Sequence, residues 1–115
     1  MQVTTSKRGN VLIVAIQGSL DVITSPDLEK QVVAFMDAGE KHLVMDLGKL
    51  DYVSSAGLRV FIMILKRLKE LGGSIRFCGF SKQVKQIFDI AGLSLRVAIF
   101  PNVDAALENH PAAKT

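Results

Sequence analysis

Two adjacent hydroxyls, Ser54 and Ser55, are the groups in this 115-residue chain best placed to take part in chemistry. They lie in Asp51-Tyr52-Val53-Ser54-Ser55-Ala56-Gly57-Leu58-Arg59-Val60, where a polar loop turns into an apolar run. A serine nucleophile needs a base and an orienting acid beside it. The chain offers two histidines, His42 at a strand start and His110 near the last residues. The residue two before Ser55 is Val53, so the Gly-x-Ser-x-Gly elbow is missing. No Cys/His cluster and no histidine pair has metal-ligand spacing. Neither a P-loop nor a Gly-x-Gly-x-x-Gly fingerprint is present. Asp46, at the end of a strand, invites comparison with a receiver aspartate. That chemistry also needs an acidic pair after the first strand, and the strands here end in Gly9-Asn10 and Gly18-Ser19. No enzyme, catalytic residue, metal or cofactor is therefore expected. What remains for the serines is modification by another protein's active site.

A helix N-terminus suits that role, because it carries unpaired N–H groups and partial positive charge that can hold a phosphoryl group. Ser55 reads as the N-cap or a first-turn residue. Gly57 lacks a Cβ, so another molecule's backbone or phosphate could come close. A capping serine and a packing glycine would account for either residue taken singly. Asp21 follows a strand end and precedes a helix, the place where α/β sheets build sites. It is equally suited to an Asx-turn.

The positioning elements follow from periodicity and punctuation. Residues 2–7 and 11–19 read as strands joined by a tight turn at Arg8-Gly9-Asn10. Ser25-Pro26 opens a helix with apolar positions Leu28, Val32, Phe35 and Met36, ending by Gly39. A third strand spans 42–47, followed by a loop over 48–54. The next helix runs from about Ser55 to Leu71 with Leu58, Phe61, Ile62, Leu65 and Leu68 on one face, and Gly72-Gly73 stops it. Strand four spans 74–79, a helix capped by Ser81 runs to Ala91, and a short strand covers 95–100. Asn102 caps a last helix to about Asn109. Alternating strands and helices predict an α/β domain with a small, mixed and mostly parallel sheet of four to five strands and about four helices. The domain covers 1–109, and 110–115 is expected to be a short flexible tail.

Composition narrows the class further. At 49% apolar and 22% charged residues the chain is globular, of a size for one core. The apolar run Val60 to Leu65, which no other run exceeds, is far short of the roughly 20 residues of a membrane span. With no signal-like apolar start and one cysteine, a cytoplasmic protein is expected. Cys78 reads as a small buried thiol in a strand rather than a phosphoryl acceptor. A net charge of +3, no Trp and one Tyr argue against a nucleic-acid surface. Lys66, Arg67 and Lys69 suit a helix C-terminus.

The segment Tyr52-Val53-Ser54-Ser55-Ala56-Gly57-Leu58-Arg59-Val60 resembles the signature of STAS domains of the anti-sigma factor antagonist type. Gly18-Ser19-Leu20-Asp21-Val22-Ile23-Thr24-Ser25-Pro26-Asp27-Leu28 is similar to that family's second signature. Ser81, Val84, Lys85, Phe88, Gly92 and Leu93 fit its third helix. The resemblance implies a partner-switching cycle. The unphosphorylated antagonist binds an anti-sigma factor that is also a serine kinase, freeing a sigma factor. Phosphorylation ends that contact, and a PP2C-type phosphatase resets it. By the same resemblance Ser55 is the phosphoacceptor, with Ser54 as the second choice. Asp21, Thr24, Ser25, Ser54, Ala56, Gly57, Leu58 and Arg59 form the kinase and partner surface, and Met63 extends it along the helix. Two positions depart from the family pattern. Ser54 stands where well-studied members carry Asp, and Ala56 stands where many carry Ser or Thr. The alternative is a STAS interaction module without phosphorylation, in a transport complex or signalling scaffold. A monomer or weak dimer is expected, because the first hairpin leaves an open edge strand.

Overall fold

The fold is described from a computed structural model, for residues 1–114. Five strands lie in sequence order across one sheet: β1 (Gln2–Arg8), β2 (Val11–Leu20), β3 (His42–Val53), β4 (Ser74–Cys78) and β5 (Ala98–Phe100). β1 and β2 form an antiparallel hairpin, and every later pairing is parallel. Parallel neighbours need crossovers. These are the helices α1 (Ser25–Asp37), α2 (Ser55–Glu70) and α3 (Lys82–Ile90); α4 (Val103–Leu107) follows β5. The mixed α/β architecture is the one the sequence predicts, with β1 at an edge.

Side chains alternate across a strand, so β2 feeds two cores. Leu12, Val14 and Ile16 point into the larger one, with Leu28 and Val32 of α1, Phe61 and Ile64 of α2, and Val84 and Phe88 of α3. Phe61, Phe77 and Phe88 meet there with ring centroids 5.4–5.7 Å apart. Val11 and Ile13 point the other way, onto a smaller cluster with Val44, Cys78, Ala106, Leu107 and Ala112.

Several boundaries differ from the sequence reading, each for a local reason. β3 does not stop at Leu47 but runs on to Val53 along β2, pairing Lys49 with Gln17 and Val53 with Leu20. Two register shifts, between Ala15 and Gln17 and between Gly18 and Ser19, absorb extra β3 residues. Such bulges break the alternation by which a strand is recognised. The buried stripe of α2 is Gly57, Val60, Phe61, Ile64 and Leu68, so Leu58, Ile62 and Leu65 sit at its flanks. Leu93–Leu95 form a 3-10 turn, which shortens β5 to three residues. α4 ends at Leu107 rather than Asn109. Part of the expected tail is held against the domain. Pro111–Lys114 form a 3-10 turn, His110 is only 2% exposed, and Ala112 accepts a hydrogen bond from the Asn10 N–H at 2.8 Å. The last position of that tail call, Thr115, lies outside the described residues.

Candidate functional site

With β3 continuing to Val53 and α2 beginning at Ser55, Ser54 alone connects them. Its extended backbone (φ −83°, ψ 172°) makes it the N-cap. The Ser54 hydroxyl accepts from the Gly57 N–H at 3.3 Å, and its carbonyl accepts from the Leu58 N–H at 3.0 Å. The Ser54 N–H in turn donates to the Leu20 carbonyl at 2.7 Å, locking the helix start to the end of β2. Of the two places expected for Ser55, N-cap or first turn, the structure shows the second. Ser54 holds the cap, and Ser55 is the first helical residue. Ser55 is exposed and Ser54 half-buried. An exposed hydroxyl at the first helical position lies beside the first-turn N–H groups and the positive end of the helix dipole.

The neighbouring loop is built around Asp21. Its carboxylate accepts from the Ile23 N–H at 2.9 Å and the Thr24 N–H at 2.8 Å, an Asx-turn. The Thr24 hydroxyl sits between the Asp21 carboxylate at 3.1 Å and the Ser19 carbonyl at 2.8 Å, and accepts from the Asp21 N–H at 3.0 Å. Hydrogen bonds from the Thr24 N–H and hydroxyl hold the Asp21 carboxyl below its usual range. Thr24 occupies the N-cap position of α1 without a side-chain cap bond.

Two predicted contact residues turn out to be interior. Ser25 is 2% exposed, with its hydroxyl buried and unpartnered among the described residues. Gly57 is buried, and a Cβ there would lie 3.0 Å from Leu20 Cβ and 3.5 Å from the Ser25 hydroxyl. The space that a missing side chain leaves is filled by this chain itself, not held open for another molecule. Ala56 and Leu58 are half-buried, and Arg59 is exposed. Arg59 begins a shallow groove along the outer face of α2 with Ile62, Met63 and Lys66.

Three residues at this pole escaped the sequence reading. Val22 and Ile23 project from the Asp21 loop at 73% and 86% exposure, and Tyr52, paired in register with Ser19, is half exposed. Adjacent apolar residues inside a turn were the available signal, because neither can serve the core from there. Serine, arginine and three apolar side chains thus share the C-terminal pole of the sheet. Cys78 is different: it is fully buried, and burial first, then the Asp46 charge, pushes its thiol up to about 12. A thiol held protonated is not a nucleophile.

The model of the STAS domain matches residues 2–106. The chain belongs to the STAS domain family. A Bordetella bronchiseptica protein, BtrV, provisionally named an anti-sigma factor antagonist, is 36% identical over 115 residues, covering 100% of this chain and 97% of its own. Among solved structures, a protein from Thermotoga maritima, also provisionally described as an anti-sigma factor antagonist, superposes with a TM-score of 0.89. It is 20% identical, with 92% of both chains covered. SpoIIAA of Bacillus, solved in its phosphorylated form, superposes at 0.71 with 15% identity, covering 93% of this chain and 96% of that one. Its unphosphorylated form, titled an anti-sigma factor antagonist, gives 0.70 at 12% identity, covering 94% of each chain. These two likenesses concern the fold.

Proposed function

We propose that this STAS domain is an anti-sigma factor antagonist that works by partner switching, with Ser55 as its phosphoacceptor. The observation that carries the reading is the exposed Ser55 hydroxyl at the first position of α2, next to a cap hydroxyl already engaged with Gly57. The name of the relative that matches over nearly its whole length supports the assignment. In the unphosphorylated state the pole is a docking surface. Val22, Ile23 and Tyr52 supply apolar area, Arg59 supplies charge, and the Asp21 turn fixes the loop that carries two of them. Its partner is a cytoplasmic anti-sigma factor with serine kinase activity, and a PP2C-type phosphatase returns the serine to its free form.

Phosphorylation places roughly −1.5 to −2 charges at the helix N-terminus, where the dipole tolerates them. The domain therefore stays folded while the surface changes. Facing a partner with an unpaired dianion readily costs the ~2.8 kcal/mol that corresponds to a 100-fold loss of affinity. The test is peptide mass spectrometry after incubation with the cognate kinase, paired with binding measurements. Phosphate on Ser55, tight binding by Ser55→Ala and at least 100-fold weaker binding by the phosphorylated protein are expected. Phosphate on Ser54 would reassign the acceptor. No phosphate on either, with unchanged binding by Ser55→Asp, would leave an interaction module that is not phosphorylated.

A further inference from the structure

The opposite pole of the sheet holds a group that the Ser55 reading does not use. His110 is 2% exposed and sits in the turn that follows α4. Its Nδ1 accepts a hydrogen bond from the Ala112 N–H at 3.1 Å, while its Nε2 has no partner among the described residues. An Nδ1 that accepts carries no proton, so the ring is neutral with its hydrogen on Nε2. The imidazole of His42 stands edge-on to it, with centroids 5.9 Å apart. This arrangement does not suit a metal on Nε2, because a metal-bound imidazole uses its other nitrogen as a donor, and Nδ1 here faces an N–H.

The ring adds a side-chain tie to a segment that the backbone also holds to the β1–β2 turn. The Asn10 N–H donates to the Ala112 carbonyl at 2.8 Å, and Ala112 joins the smaller apolar cluster with Val11, Ile13, Val44 and Cys78. Gly9, at φ +59°, lets the hairpin turn pass under the same segment. A Cβ there would fall 2.5 Å from the Ala113 carbonyl oxygen.

We propose that His110 is an acid-released latch, which in its neutral form holds the segment from His110 to Lys114 against the β1–β2 turn and over the smaller core. An imidazolium carries hydrogens on both nitrogens. Protonated Nδ1 would meet the Ala112 N–H hydrogen to hydrogen, and the new charge would be buried. The groups around it offer no relief. Arg76 from β4 and His42 from β3 line the same cleft of about 620 Å³, together with Lys41. The Arg76 guanidinium is fixed by the Ala106 and Glu108 carbonyls at 2.9 and 3.4 Å. The acid in the cleft lining, Glu40, is already engaged by Lys7 of β1 at 2.7 Å. Burial first, then the charges of Arg76 and His42, depress the His110 pKa below its ordinary value of 6.5.

The sign follows from linkage. A histidine whose folded pKa is lowered leaves the closed state intact above the unfolded pKa and weakens it as pH falls below that value. The chain has two histidines, so each ring resonance can be followed by NMR. Hydrogen exchange of the Asn10 and Ala112 amides, corrected for intrinsic rates, reads the opening of the segment. Opening is expected to be constant above about pH 6.5. It should then rise by up to tenfold per pH unit down to the folded pKa of His110. His110→Asn places an acceptor oxygen where Nδ1 lies and cannot be protonated, so it should give a flat profile. A sloped profile in that variant would overturn the latch. If that variant does not fold, the wild type decides alone. A His110 ring that becomes protonated while both amides stay protected would overturn the proposal, and release in step with a titration below 6.5 would sustain it.

Discussion

At the residue scale, the two serines have separate duties that can be pulled apart by substitution. Ser54 caps α2, so Ser54→Ala should cost about 1 kcal/mol, read as a lower urea midpoint at unchanged slope. Ser55 is exposed and is not the cap, so Ser55→Ala should stay within about 0.5 kcal/mol of wild type while removing the proposed phosphoacceptor. If the two stability effects were reversed, Ser55 and not Ser54 would be the cap. Gly57→Ala is a stricter test of packing. Alanine favours helix by up to ~1 kcal/mol. The added methyl, however, would press at 3.0 Å on Leu20, whose carbonyl is already tied to the Ser54 N–H. Loss of stability is expected, and a gain would show that β2 can give way. Asp21 adds a dependence on acid. Its carboxyl is held below the usual range, so the turn is intact above the ordinary carboxylate pKa and loosens as pH falls through the depressed one. Ile23 and Thr24 amide shifts that move together below about pH 4 would report it.

At the element scale, the order of strands and helices was readable because each helix carries its own punctuation. Ser81 and Asn102 cap the helices they precede through bonds to Val84 and Ala105, and Pro26 lies in the first turn of α1. The second half of β3 was not readable. Gly48 and Lys49 look like a turn, and the bulges remove the period-two signal that pairing with β2 would have left. The turn after His110 was missed for a related reason: small residues there bury little surface, and they are held by their own N–H and C=O groups, to the His110 ring and to Asn10, which leaves no sequence pattern. Phe61 ties α2 to the sheet through Phe77 and to α3 through Phe88. Phe61→Ala should therefore cost about 3–5 kcal/mol in chemical denaturation. It should also raise exchange along α2 more than along the β1–β2 hairpin.

At the scale of the whole molecule, the two faces of the sheet are unequal. Three helices cover one, while a five-residue helix and a 3-10 turn cover the other. Cys78 lies under that thinner layer, and its raised pKa should make it inert to iodoacetamide at pH 8 until the protein unfolds. Rapid labelling of the native protein would mean that this layer opens often. No helix among the described residues is long and apolar enough to cross a membrane. At the other end of the molecule, the single-residue join between β3 and α2 has a consequence for how Ser55 could be read. A serine that opens a helix one residue after a strand has its direction set by the sheet and by the Leu20 carbonyl that holds Ser54, not by the few residues around it. A kinase that finds it must recognise a three-dimensional outline rather than a string of letters. A synthetic peptide covering residues 49–60 would offer the same letters without the outline, and it should be ignored.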